Sequence, residues 1–388
     1  MGETSQVALG GRDAMRTSVR TKRVRKDPVN RTKMRTSAFA AVAVLATSAL
    51  AACGSTGGEA GSGDGGAVEN AKVAFLMPDL ASTRYEQQDK PLFEAKMKQL
   101  CPGCTVIYQN ADSDAAKQQQ QANSALAQGV KAIVLDPVDS AAAATIVKTA
   151  QSQQVAVIAY DRPIPATPAD YYISFDNEKI GSMIGQSLVD HLKAEKAEGG
   201  LLQVNGSPTD AAAGLIKKGI HSAIDASGFK LLAEYDTPDW QPEKAQTWVS
   251  GQITQFGDDI VGVVAANDGT GGGTIAAFKA AGEKVPPVTG NDAEVAAAQR
   301  IIKGDQYNTI SKPIKTVAEA AADTAYQFMR GQKPAGKDTL FNTPSQLFVP
   351  TVVTKENIKE VLFDSGIMTA ADVCTGDYAA GCTELGIK

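Results

Sequence analysis

From residue 72 onward, short apolar runs end, one after another, in a polar residue. Val73-Ala-Phe-Leu-Met77 runs into Pro78-Asp79, Ala132-Ile-Val-Leu135 ends at Asp136, and Val155-Ala-Val-Ile-Ala-Tyr160 ends at Asp161-Arg162. Leu201-Leu-Gln-Val204 ends at Asn205, Ile260-Val-Gly-Val-Val-Ala-Ala266 at Asn267-Asp268, and Val288-Thr-Gly290 at Asn291-Asp292. The runs are continuous rather than alternating, as in strands buried on both faces. Between them lie stretches of helical character, near residues 85–100, 115–128, 140–153, 180–196, 211–227, 242–255, 272–281 and 293–303. Further strands are predicted at 105–109, 230–235 and 285–289.

Regular strand–helix alternation means parallel sheets covered by helices on both faces. The chain is therefore read as α/β, with two doubly wound parallel-sheet lobes. A boundary falls near Ile173-Ser-Phe-Asp176. Asn308–Pro313 reads as a strand leading back to the first lobe, Thr316–Met329 as a helix, and Phe348–Val353 as a return to the second. The expected division is 71–175 plus 311–343 for the first lobe and 176–310 plus 344–388 for the second, joined by a multi-crossing hinge. Ligands of open α/β sheets bind outside the carboxyl ends of the strands. Strand ends rich in Asp, Asn and Arg thus suit a small polyhydroxylated molecule in the crevice between lobes.

The first 52 residues do not share the pattern. An Arg- and Lys-rich stretch precedes Met34. An apolar stretch then runs from Ala38 to Leu50 and ends in Leu50-Ala51-Ala52-Cys53. A basic start, a short apolar core and small residues at the end describe a secretory signal. The apolar run is shorter than the roughly 20 residues of a membrane span. Leu-Ala-Ala-Cys-Gly resembles a bacterial lipobox, which makes Cys53 the lipidated mature N-terminus; a plain signal peptide with an incidental Cys is the alternative. Translation starts at Met1 or at Met34. The Gly/Ser-rich stretch within 54–70 behaves as a flexible tether, which suits a folded part held at the outer face of the cell membrane by its lipid.

Residues 1–52 carry the basic excess, so the rest of a chain of net charge −5 is strongly acidic. That argues against nucleic acid, whose binders need basic patches. The other cysteines form two local pairs, Cys101-Pro-Gly-Cys104 and Cys374 with Cys382. In an exported protein local disulfides are the plain reading, although four cysteines allow three connectivities. A redox pair would open a helix after a strand, whereas Cys101–Cys104 lies at a helix-to-strand turn.

Catalysis has little support. His191 and His221 fall on predicted helix surfaces, and the chain has no Gly-x-Ser-x-Gly, His-Glu-x-x-His or phosphate-loop motif. Gly269–Gly273 lacks a phosphate-loop Lys and reads as a strand-to-helix turn. Asp112-Ser-Asp114 lacks the rest of a calcium loop and reads as a helix cap. No metal or cofactor is expected. Paired strand-end carboxylates leave a secreted glycosidase as the enzyme alternative. Asp161-Arg162 places an acceptor beside a planar fork of donors that can bond two adjacent hydroxyls; a surface salt bridge is the plain alternative. Trp240, in a loop before a helix, can face a sugar ring or pack in a core, and Trp248 reads as core.

The strings Ala159-Tyr-Asp-Arg-Pro-Ile164, Tyr172-Ile-Ser-Phe-Asp-Asn-Glu-Lys-Ile-Gly181, Asn205-Gly-Ser-Pro208, Ala266-Asn-Asp268, Thr289-Gly-Asn-Asp292 and Ser311-Lys-Pro-Ile314 together resemble the bacterial D-xylose-binding proteins. These are sugar-binding components of ABC importers with the type I periplasmic-binding-protein fold. The resemblance covers nearly all of residues 71–365. It implies a monosaccharide held between the lobes by Arg84-Tyr85, Asp161, Arg162, Asp176, Asn177, Trp240, Asn267, Asp292 and Lys312. Asp79 and Asp136 are left as turn or rim residues. Tyr85 replaces the family's usual Trp. Asp210-Ala-Ala-Ala replaces Asp-Asn-Asn, and the tail after about Ser365 extends beyond the pattern. The implied partners are an ABC permease and its ATPase, with the protein a monomer. A receptor of the same fold feeding a sensor is the alternative function.

Overall fold

The computed structural model describes residues 68–388; the expected signal, the lipidation site Cys53 and most of the tether lie outside them. β1 (Lys72–Met77), α1 (Lys90–Leu100), β2 (Thr105–Asn110), α2 (Ala115–Ala127), β3 (Ala132–Leu135), α3 (Ala144–Ser152), β4 (Ala156–Tyr160) and β5 (Tyr171–Phe175) open the chain. α4 (Asn177–Ala194), β6 (Gly200–Asn205), α5 (Ala211–Asp225), β7 (Lys230–Asp236), α6 (Pro242–Phe256), β8 (Ile260–Ala265), α7 (Asp268–Ala281), α8 (Val295–Lys303) and β9 (Asn308–Ser311) follow. α9 (Ile314–Met329), β10 (Asp338–Leu340), β11 (Thr343–Phe348), β12 (Thr351–Thr354), α10 (Ala370–Val373) and α11 (Ala379–Glu384) complete it.

The first lobe is a seven-stranded sheet of order β10-β11-β5-β4-β3-β1-β2, parallel except for the β10–β11 pair. The second carries the parallel sheet β7-β6-β8 and the antiparallel pair β12-β9. Both faces of β1 are buried: Val73, Phe75 and Met77 join one core cluster, Ala74 and Leu76 another. That two-sided burial is why its sequence is a continuous apolar run.

Two sequence expectations change. The first lobe was expected to end at 343, but β11 pairs in parallel with β5 from Ser345 to Phe348. The chain crosses only at Val349-Pro350, before β12 pairs with β9. The segment 285–289 forms a single bridge, Val263 to Val288, rather than a strand. Pro286 and Pro287 have no N–H to give a ladder, and Thr289 Oγ1 both accepts from Ala265 N and donates to its carbonyl.

Cys101 is bonded to Cys104 and Cys374 to Cys382. The second bond pins the C-terminal tail, whose Val373, Cys382 and Ile387 pack with Ile301 and Ile302 of α8. Among the described residues no helix is long and apolar enough to cross a membrane.

Candidate functional site

The carboxyl ends of β1 and β4 face those of β6 and β8 across a small, mostly polar cavity. All the residues expected from the resemblance line it except Asp176. Asp176 caps α4 instead, its Oδ1 accepting from Lys179 N at 3.0 Å. Its neighbour Asn177 turns inward and donates to Tyr172 Oη and Ser174 Oγ at 3.3 and 3.4 Å.

The first-lobe wall is charged. After β1 the chain makes one π-helical turn, Tyr85–Asp89, and this wider turn brings Arg84 and Asp89 onto one face. Arg84 is gripped at two points, Nε to Asp89 Oδ2 at 3.1 Å and Nη2 to Asp89 Oδ1 at 3.0 Å. Tyr160 Oη also donates to Asp89, at 2.5 Å. Arg84 Nη1 is then presented to Asp161 Oδ1 at 3.4 Å and Asp292 Oδ1 at 3.5 Å. Arg162 donates to Asp79 at 2.6 Å and to the Pro137 carbonyl at 3.2 Å. Its Nε lies 3.5 Å from Asp136 and 3.2 Å from Asp210 of the second lobe.

Asp79 and Asp136 are thus not rim residues. They are 2% and 0% exposed and sit beneath Arg162. Both Asp136 carboxyl oxygens lack a hydrogen-bond partner among the described residues. Burial pushes the Asp136 pKa well up, against the pull of Arg162. Asp161 goes the other way: burial opposes its charge, but Arg84, Lys312 and Arg162 outweigh burial and hold its pKa well below the usual range. Tyr85, in place of Trp, adds a hydroxyl that donates to Asp161 Oδ2 at 3.2 Å.

The second-lobe wall is made of helix starts and an aromatic ring. Asn267 caps α7, its Oδ1 accepting from Thr270 N at 2.8 Å. Asp210 caps α5 through Ala212 N at 2.7 Å and accepts the Trp240 indole N–H at 3.0 Å. The ring lies directly over Gly206, where a Cβ would fall 2.1 Å from it. Lys312, at the crossing after β9, meets Asp292 Oδ1 at 2.6 Å and Asp161 Oδ1 at 3.9 Å.

Asp161, Trp240 and Asp292 all have positive φ, at 57°, 57° and 104°. For a bulky residue this is a conformation the surrounding structure has to impose, and such strain clusters at functional sites.

The wall also contains residues that were not among the expected contacts: Ser82, Asp210, Asn291, Ala212 and Ile216. Asn291 is 2% exposed and its Oδ1 has no hydrogen-bond partner among the described residues. Its position at the same strand end as Asp292 was the available signal. His191 stacks on Tyr307 and His221 pairs with Glu234 at 2.8 Å, and neither lines the cavity. Trp248 stacks on Tyr235.

Comparison with known proteins agrees with this geometry. The family model described as periplasmic binding protein domain matches residues 73–333. The D-xylose-binding periplasmic protein of Escherichia coli strain K12 is 34% identical over 305 residues, 76% of this chain and 90% of that protein. Its namesake from Haemophilus influenzae is 32% identical over 312 residues, 78% of this chain and 92% of that protein. An ABC transporter solute-binding protein from Clostridium phytofermentans, solved with β-D-glucose, is 27% identical at a TM-score of 0.70, with 78% of this chain and 99% of that one covered. The chain belongs to the periplasmic binding protein domain family, and its likeness within that family is to the D-xylose-binding periplasmic proteins.

Proposed function

We propose that the chain captures a monosaccharide, xylose or a related aldose, between its lobes and delivers it to an ABC importer. The observation that carries this is the meeting of Arg84, Asp161, Asp292 and Lys312, supplied by separate chain segments, beside Asn291, whose Oδ1 has no hydrogen-bond partner among the described residues. Fixed cations and carboxylates offer charge-assisted hydrogen bonds to hydroxyls, and Trp240 offers a flat apolar face. Arg84, Tyr85, Asp161, Arg162, Asn177, Trp240, Asn267, Asp292 and Lys312 form the contact set, with Asn291 added.

The mechanism is hinge closure. The lobes already touch across the cleft through Thr83, whose N and Oγ1 donate to Glu294 Oε1 at 3.2 and 3.1 Å. A ligand that contacts both walls binds the closed form better and shifts the population toward it. The closed form is what a permease with its ATPase would receive. A lipid on Cys53 would hold this monomeric binding protein, which is not an enzyme, at the outer face of the membrane. Mass spectrometry of membrane-extracted protein checks the lipid. Calorimetry with xylose, glucose, galactose, arabinose and ribose checks the ligand. Binding of none of them below about 100 µM, near −5.5 kcal/mol, would overturn the sugar reading.

A further inference from the structure

We propose that the loop after β3 and the loop leading into α5 form a latch between the lobes, centred on Ser140, that touches no ligand yet sets how long the closed form holds one. This rests on the sugar-binding reading above. Three hydrogen bonds cross between the lobes there. Ser140 N donates to the Thr209 carbonyl at 3.0 Å, Ala211 N donates to Ser140 Oγ at 3.1 Å, and Thr209 Oγ1 donates to the Val138 carbonyl at 3.4 Å. The second bond is a helix cap supplied from the opposite lobe. The first N–H groups of a helix have no partner within it. At the start of α5, Asp210 takes Ala212 N at 2.7 Å and Ser140 takes Ala211 N.

Ser140 is 3% exposed and held in place from its own lobe. Asp139 Oδ1 accepts from Ala141 N and Ala142 N, both at 2.8 Å. Behind the loop, the buried Gln118 of α2 donates to the Asp136 carbonyl at 2.7 Å and accepts from Val138 N at 2.9 Å. Both halves of the latch also adjoin the ligand wall. The Pro137 carbonyl, in the Ser140 loop, accepts from Arg162 Nη1 at 3.2 Å, and Asp210, next to Ala211, lies 3.2 Å from Arg162 Nε. Val138, Ser140 and Thr209 themselves do not line the cavity. A ligand that draws the walls together thus brings these loops together without meeting them.

The three bonds exist only while the lobes meet. In an open form water satisfies the same groups, so each bond makes a modest net contribution to closure rather than to folding. Bonds that form after encounter slow release rather than speed capture.

The test compares the purified full chain with its Ser140→Ala variant, using xylose, glucose, galactose, arabinose and ribose. Calorimetry gives Kd, release of radiolabelled sugar into excess unlabelled sugar gives koff, and their ratio gives kon. Ser140→Ala is expected to raise koff about fivefold, the effect of about one net hydrogen bond, with kon changed less than about twofold. The factor should be the same for every aldose that binds, because the latch meets none of them; loss of a ligand contact would alter their ranking. Thr209→Val, at an exposed position, should raise koff in the same way by about twofold or more. Ligand-free thermal unfolding checks that each variant folds. An unchanged koff in folded Ser140→Ala, a loss carried by kon, or factors that differ among the sugars overturns the latch while the sugar reading stands. Thr209→Val decides by the same criteria if Ser140→Ala does not fold. If the wild-type chain binds none of the five, the sugar reading fails and the latch falls with it.

Discussion

The two walls of the cleft solve one problem with different chemistry. On the first-lobe side, Arg84 and Arg162 are buried among Asp79, Asp89, Asp136 and Asp161. Each guanidinium is aimed by carboxylates behind it, so the polar groups that would meet a hydroxyl are fixed in advance. On the second-lobe side, Asn267 and Asp210 are helix caps, and Trp240 is set by backbone shape over Gly206. The charged wall is costly to build, because carboxylates outnumber cations there and each buried charge needs a partner. The capped wall is cheaper and less demanding of its ligand. A cleft built this way can hold the reading face rigid and leave the other to close upon it.

The contrast can be broken most severely at Arg162. Arg162→Ala leaves Asp79, Asp136 and Asp210 without their shared cation, and loss of about 3–5 kcal/mol of stability is expected, measured by denaturant unfolding. Ligand affinity should collapse with it. Retention of wild-type stability would mean the carboxylates do not depend on this cation.

On the opposite wall, Gly206→Ala pushes a methyl group into the Trp240 ring. A cost of about 1–3 kcal/mol is expected. Because the ring must move, affinity should fall at least about tenfold, a change of about 1.4 kcal/mol. Calorimetry on the folded variant separates the two effects.

A pH dependence probes the buried carboxyls of the charged wall. Burial raises the Asp136 pKa in the folded protein, so the native state keeps a proton that the unfolded chain releases near pH 3.9. This contribution to stability is fully present below that value and is lost as pH rises through the folded pKa. Asp136→Asn should therefore flatten the fall in stability over the window that opens above about pH 3.9 and closes at the folded pKa, by up to about 1.4 kcal/mol per pH unit. Thermal unfolding at both ends of that window reads it; an unchanged slope would place the buried proton elsewhere.

The smallest effect is expected at one of the contacts between lobes, Thr83 with Glu294. Thr83→Val removes the hydroxyl bond to Glu294 but keeps the backbone one. A loss of about 1 kcal/mol from the closed form corresponds to about fivefold weaker apparent affinity, with little change in unfolding. Calorimetry beside a melting curve detects it.

The parallel strands were legible because strands buried on both faces must be apolar throughout, as at Ala132–Leu135. β10 and β11 were not, because Asp338–Leu340 and Thr343–Phe348 are exposed or half-buried over much of their length. Arg84 and Lys312 were found through the family resemblance, whereas Asp161-Arg162 already stood out at the end of an apolar run. Asp176 was misplaced because a polar residue before a helix reads alike whether it caps the helix or meets a ligand. Asp79 and Asp136 were misread for a related reason. A strand-end Asp shows in sequence that a charge is present, but only the arrival of Arg162 from a distant strand shows that the charge is buried. Gly269–Gly273, expected as a turn, already lie in the first turns of α7.

The most direct measurement uses the fact that the chain has two tryptophans. Trp248 stacks on Tyr235 outside the cleft-lining set, and Trp240 lines it. In Trp248→Phe the remaining emission comes from Trp240. Titration with the best aldose should change that emission saturably, with the same Kd as calorimetry. Calorimetric binding that leaves Trp240 emission unchanged would contradict a sugar held between these two walls.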